Sequence, residues 1–178
     1  MRVFPASMWC ALAVMLSAQD KGTEMLAPYT PTPEAIVDRM LELGGLRAGE
    51  KMFDLGSGDG RIVIRAAGKY KADATGVEID GSLVRRSSNR IKALGLSSFA
   101  RIIQGDLLKQ DYSTADLLTV YLLPVASDKL TPIFEKQLRR GARVVSNNSA
   151  FPAWTPAKIE EIQDDREGHS HRLYLYIR

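Results

Sequence analysis

The sequence predicts an α/β chain of the Rossmann-like kind. Its sheet is mostly parallel with helices on both faces, and it ends in a C-terminal antiparallel hairpin. Three observations carry that expectation. Short apolar runs alternate with helical stretches from residue 51 to residue 146, and strands apolar on both sides belong to a parallel sheet covered on each face. The stretch FDLGSGDG, residues 53–60, joins the first such run to the first following helix through glycines at every second position. Two alternating runs in the tail flank the polar turn DDREGHS, which is the pattern of a hairpin.

The elements follow in order. Residues 1–20 hold a basic Arg2, an apolar run from Met8 to Leu16, then Ser17-Ala18 before a polar Gln19-Asp20. That is the layout of a secretory signal peptide, with Ala18 the last residue before the cut, or of an anchor segment. The run is far shorter than the ~20 residues needed to cross a bilayer. Residues 21–45 form a lid segment rich in Pro and Thr, followed by a helix. There Thr32 is expected as N-cap, Pro33 at the first helical position and Gly44-Gly45 at the end. Residues 46–178 form the main domain. Strands are expected at 51–54, 74–78, 100–104, 115–122 and 142–146, and helices at 61–70, 82–94 and 128–138. The hairpin arms are 158–162 and 172–177.

Composition narrows the chemistry. The 178 residues are 45% hydrophobic and 25% charged, ordinary values for one domain with its own core. A net charge of +3 is a small basic excess, so nucleic acid is a weak expectation. Its only sequence support is the basic cluster Arg85, Arg86, Arg90 and Lys92 with Arg139-Arg140. One cysteine, Cys10, and two histidines, His169 and His171, leave too few soft ligands for a metal centre.

The glycine loop reads G-x-G-x-G. That is one residue shorter than the dinucleotide fingerprint G-x-G-x-x-G, and no P-loop pattern occurs. Asp54 stands two residues before Gly56. Its charge would repel a pyrophosphate but could accept bonds from the ammonium of an amino-acid moiety. Glu78, 18 residues beyond Gly60, ends the second strand where a carboxylate can take both ribose hydroxyls. Asp106 follows the third strand, within reach of an adenine amine, and Ile79 and Leu107 could sandwich the ring. The set favours an adenosyl amino acid over NAD.

Through DLGSGDG, VEID and GDL the chain resembles the class I S-adenosylmethionine-dependent methyltransferases. PYTPTPEAIVDRM, DLGSGDGRIVI, VYLLP and GARVVSNNSAFPAW make it similar to a narrower group. That group is the small protein-lysine methyltransferases related to those acting on the mitochondrial adenine nucleotide translocase and the ATP synthase c-subunit. The resemblance implies S-adenosyl-L-methionine as cofactor and a protein substrate presenting a lysine side chain, membrane-associated in those relatives. It assigns the cofactor to Asp54, Gly56, Ser57, Gly58, Gly60, Glu78, Ile79, Asp106 and Leu107, with Tyr29 and Thr32 of the pre-loop segment. On the acceptor side it points to Tyr121 and Pro124. Tyr121 replaces the Asp or Asn with which adenine- and glutamine-methylating relatives hold their substrate. Tyr29, Tyr121 and Trp154 are candidates for an aromatic channel around a lysine stem, and Asn147 for a contact with substrate backbone. The rival readings are an RNA or small-molecule methyltransferase and a non-catalytic S-adenosylmethionine-binding module. The cytosolic supply of donor argues for a domain facing the cytosol, against the export that the first 20 residues suggest.

Overall fold

The computed structural model describes residues 29–163 and 168–178. The signal-like stretch, the first part of the lid segment and the tip of the DDREGHS turn lie outside the described residues. Seven strands form one sheet: β1 Lys51–Leu55, β2 Asp73–Glu78, β3 Ala100–Gln104, β4 Leu117–Val120, β5 Arg143–Asn147, β6 Lys158–Gln163 and β7 Ser170–Ile177. Their order is β3-β2-β1-β4-β5-β7-β6. The first five are parallel, and β7 runs antiparallel to both β5 and β6. The four long helices are α1 Glu34–Leu43, α2 Arg61–Tyr70, α3 Gly81–Ala93 and α4 Pro124–Gln137.

Consecutive apolar residues in the strands feed two cores. Leu117 and Val145 join α1 and α2 on one face, through Ile36, Met40, Val63 and Ala66. Their neighbours Leu118 and Val144 join Phe134 of α4, Tyr112 and Phe151 on the other. A strand buried on both sides has no polar alternation to display, which is why the apolar runs of the sequence are continuous. Strand order reverses between β1, whose successors run toward β3, and β4, which starts the other half. A crevice opens at the carboxyl ends of the strands at such a switch point.

Three expectations change. Pro33, not Thr32, sits at the N-cap of α1, and no side chain caps that end. The Thr32 carbonyl instead accepts a bond from Arg61 Nη1 at 2.7 Å. The strand expected to run to residue 122 stops at Val120. Helix α4 then begins at Pro124, four residues earlier than expected, because proline at a first helical position has no N–H to leave unpaired.

Candidate active site

The glycine loop is shaped by backbone angles that side chains disfavour. Gly56, Gly58 and Gly60 have φ of 75°, 53° and 76°, which explains glycine at alternate positions. The second and third glycines also make room. A Cβ on Gly58 would lie 2.6 Å from the Tyr29 ring, and one on Gly60 would lie 2.9 Å from Ser87 Cβ of α3. Gly58 thus lets the pre-loop segment lie across the loop, whereas Gly60 lets α3 approach α2.

Glu78 ties the loop to the end of β2. One carboxylate oxygen accepts from the Gly58 N–H at 2.8 Å, and the other from Ile79 and Asp80 at 2.8 and 2.9 Å. The Gly56 and Ser57 amides donate to the Val77 carbonyl at 2.9 and 3.0 Å. Asp80, by contrast, is a helix cap: it accepts from the Ser82 and Leu83 amides at the start of α3.

Charge is arranged unevenly around the loop. Asp54 is buried and accepts from Thr119 Oγ1 at 2.7 Å. Burial raises its pKa to about 7, with the charges of Glu78 and Asp59 adding to the rise and the Thr119 bond opposing it. For Asp59, burial also works against ionisation. The paired bonds from Arg61 Nε and Nη2, at 2.9 and 2.8 Å, outweigh it and hold this carboxyl below its usual range, with Arg90 nearby. Arg61 therefore joins the loop acid to the Thr32 carbonyl, so one guanidinium ties the pre-loop segment to the glycine loop. Arg86 adds a bond to the Tyr29 hydroxyl at 3.3 Å.

One cleft gathers most of the residues singled out by sequence. Tyr29, Thr32, Asp54, Gly56, Ser57, Gly58, Glu78, Ile79, Asp106 and Leu107 line it, and Tyr121 closes its other side. Gly60 and Pro124 do not line it. Gly60 serves the packing of α2 against α3, and Pro124 is exposed at the start of α4. Trp154 is also elsewhere. It stacks on Phe151 at 5.4 Å and meets Phe134 and Tyr176, so it belongs to the aromatic core under α4. Asp106 lines the cleft while one of its oxygens caps the turn Leu107–Lys109 by accepting from the Leu108 amide at 2.9 Å.

Sequence reasoning passed over the lining contributions of Asp59, Arg61 and Leu122. The signal for the first two was present: an acid and an arginine two residues apart, directly flanking the last glycine. The cleft's chemistry suits a ligand with a cationic end, hydroxyls and a flat apolar end. Asp54 and Glu78 supply acids to its lining, and Ile79 and Leu107 apolar surface. The buried Ser57 hydroxyl has no partner within the described residues and packs against Gly76 of β2.

Comparison with known proteins gives the family. The family model described as the ANTKMT methyltransferase domain matches residues 54–158. A protein-lysine N-methyltransferase from Saccharolobus islandicus (strain REY15A) is 37% identical over 151 residues, covering 84% of this chain and 92% of the relative. The lysine N-methyltransferase of the ATP synthase c-subunit from Mus musculus is 33% identical over 72% of this chain. This chain spans about half, 51%, of that relative's length. Among solved structures, an RNA methyltransferase from Salinibacter ruber in complex with S-adenosyl-L-homocysteine superposes with a TM-score of 0.77. It is 40% identical, with 83% of this chain and 93% of that one covered.

Proposed function

The chain belongs to the ANTKMT methyltransferase domain family, and from that membership we propose that it is an S-adenosyl-L-methionine-dependent protein-lysine N-methyltransferase. The observation that carries the reading is the single cleft with acids, glycine loop and Ser57 on one side and an aromatic Tyr121 on the other. Bound there, the donor supplies an electrophilic methyl group on sulfur for in-line displacement by an amine.

The chain's own residues do the rest. Asp54, ionised, faces the donor's ammonium, and the oxygens of Glu78 retain lone pairs for ribose hydroxyls beside the loop amides they already hold. Ile79 and Leu107 bracket the adenine, with Asp106 at its edge. Tyr29 and Thr32, held by Arg86 and Arg61, cover the loop and exclude water from the donor. Tyr121 stands where the acceptor enters. Its ring face attracts a cationic lysine head and packs along the stem. Alignment of amine and methyl then supplies most of the rate.

RNA is the second reading, because the 40% identical Salinibacter structure is described as an RNA methyltransferase. The basic residues of α3 give it little help: Arg90 lies 3.7 Å from Asp59 and Arg86 is engaged with Tyr29, both turned toward the loop. Incubating the purified chain with methyl-labelled donor, a membrane-protein extract and, separately, total RNA decides between them. Label in lysine is expected. Label in RNA alone, or in neither despite tight donor binding, would overturn the lysine reading.

A further inference from the structure

On the face covered by α1 and α2, the sheet changes character at its carboxyl edge. Leu117, Val145 and Leu173 belong to the apolar core there. Side chains two residues apart share a face, so moving toward that edge brings up Thr119 of β4 and Tyr121 just past its end, Asn147 from β5 and His171 from β7. Register sets Asp54 beside Thr119, Thr119 beside Val145, and Asn147 beside Leu173. A polar lane therefore leads from the donor cleft, through Asp54, Thr119 and Tyr121, into the C-terminal hairpin.

The far end of the lane is buried and bonded within itself. Asn147 Oδ1 lies 3.1 Å from His171 Nδ1, and both side chains are buried. A carboxamide oxygen only accepts, so this pairing calls for a ring proton on Nδ1. The His171 ring, fixed in this way, meets the Tyr121 ring edge-on with centroids 6.3 Å apart at 64°. Asn147 is wholly buried, yet its Nδ2 has no partner within the described residues. Buried amide donors are seldom left so, and this one lies behind the cleft rather than on its lining.

We propose that Tyr121 forms the wall of an acceptor subsite, with His171 the positioning residue that holds its ring and Asn147 the residue that fixes the His171 ring. This rests on the lysine reading above and deepens it. Tyr121 follows the end of β4, whereas Asn147 ends β5 and His171 lies on β7, so the ring is braced only when the hairpin is in place.

The test uses the full chain in two ways. With histidines labelled in nitrogen-15, only His169 and His171 give ring signals, and a His169→Gln variant assigns them. The Nδ1–H tautomer is expected for His171, and an Nε2–H tautomer overturns the proposal whatever the activity. Labelled-donor transfer to lysine in the membrane-protein extract is then compared with S-adenosylhomocysteine affinity. His171→Leu and Asn147→Leu should slow transfer about tenfold to a hundredfold, with the affinity unchanged. His171→Asn, which keeps an N–H near the Nδ1 position, should recover part of the loss and guards against a variant that fails to fold. Undiminished transfer in both leucine variants overturns the subsite, as does a parallel fall in nucleoside affinity and melting temperature in all three. A wild-type chain that labels no lysine sinks the lysine reading and the acceptor role with it, an outcome separate from the tautomer result.

Discussion

The donor and acceptor sides of the cleft are built in opposite ways. On the donor side one short segment carries nearly everything. Residues 54–61 turn from β1 into α2, and Glu78, Asp59 and Arg61 bind their own backbone and each other so closely that the loop has one shape. On the acceptor side Tyr121, just past β4, is braced by His171 of β7, itself bonded to Asn147 of β5, and Leu123 and Val125 stand exposed next along the chain. The donor is a fixed chemical, so its pocket can be finished in advance. The acceptor completes its own side on arrival.

That contrast can be broken by substitution. The largest effect is expected at Glu78. Its carboxylate accepts three backbone amides, and Glu78→Ala should weaken donor binding by about 1.5–3 kcal/mol, at least tenfold in Kd, measured by calorimetry. An unchanged Kd would show that the loop keeps its shape without this staple. Arg61→Lys comes next. It keeps the charge but loses the fork that grips both Asp59 oxygens and the Thr32 carbonyl. About 1–2 kcal/mol of stability should go in chemical denaturation, together with some donor affinity. Full affinity with lowered stability would separate the pre-loop segment from donor binding.

The smallest effect is a pH dependence. Asp54 titrates at about 7 in the free protein, above the usual carboxylate value. A raised carboxyl pKa favours the folded state at low pH, and that contribution fades as pH climbs toward and through 7. Donor binding has the opposite sign. An ammonium beside Asp54 favours the ionised form, so affinity should rise severalfold from about pH 6 to 8, and Asp54→Asn should flatten the profile. A flat wild-type profile would place the ammonium elsewhere.

The same contrast explains what could be read from sequence. Asp54, Glu78 and Asp106 fall at or just past strand ends in a spacing that local chain geometry enforces, so their gathering in one cleft was legible. Around it, local signals misled. Thr32 looks like a cap, but its carbonyl is taken by Arg61, and Gly60 looks like a ligand contact, but its bareness serves Ser87. Pro124 reads as part of a motif and turns out to open α4. Trp154 had the right chemistry for a channel, yet the stretch after β5 folds it onto Phe134 and Phe151 beneath α4. His171 carried no signal, because nothing in the sequence says that β7 inserts beside β5 rather than beyond β6.

The position of β7 has a consequence for how the protein is made. It lies between β5 and β6, although β6 leaves the ribosome first. Until Ser170–Ile177 has emerged, β6 has no strand to pair with in this sheet and β5 presents a bare edge, the kind of edge that recruits other chains. The donor half, β1 to β3 with α2 and α3, has all its neighbours, β4 included, long before that. A chain cut short before Ser170 loses two strands of the sheet, not one.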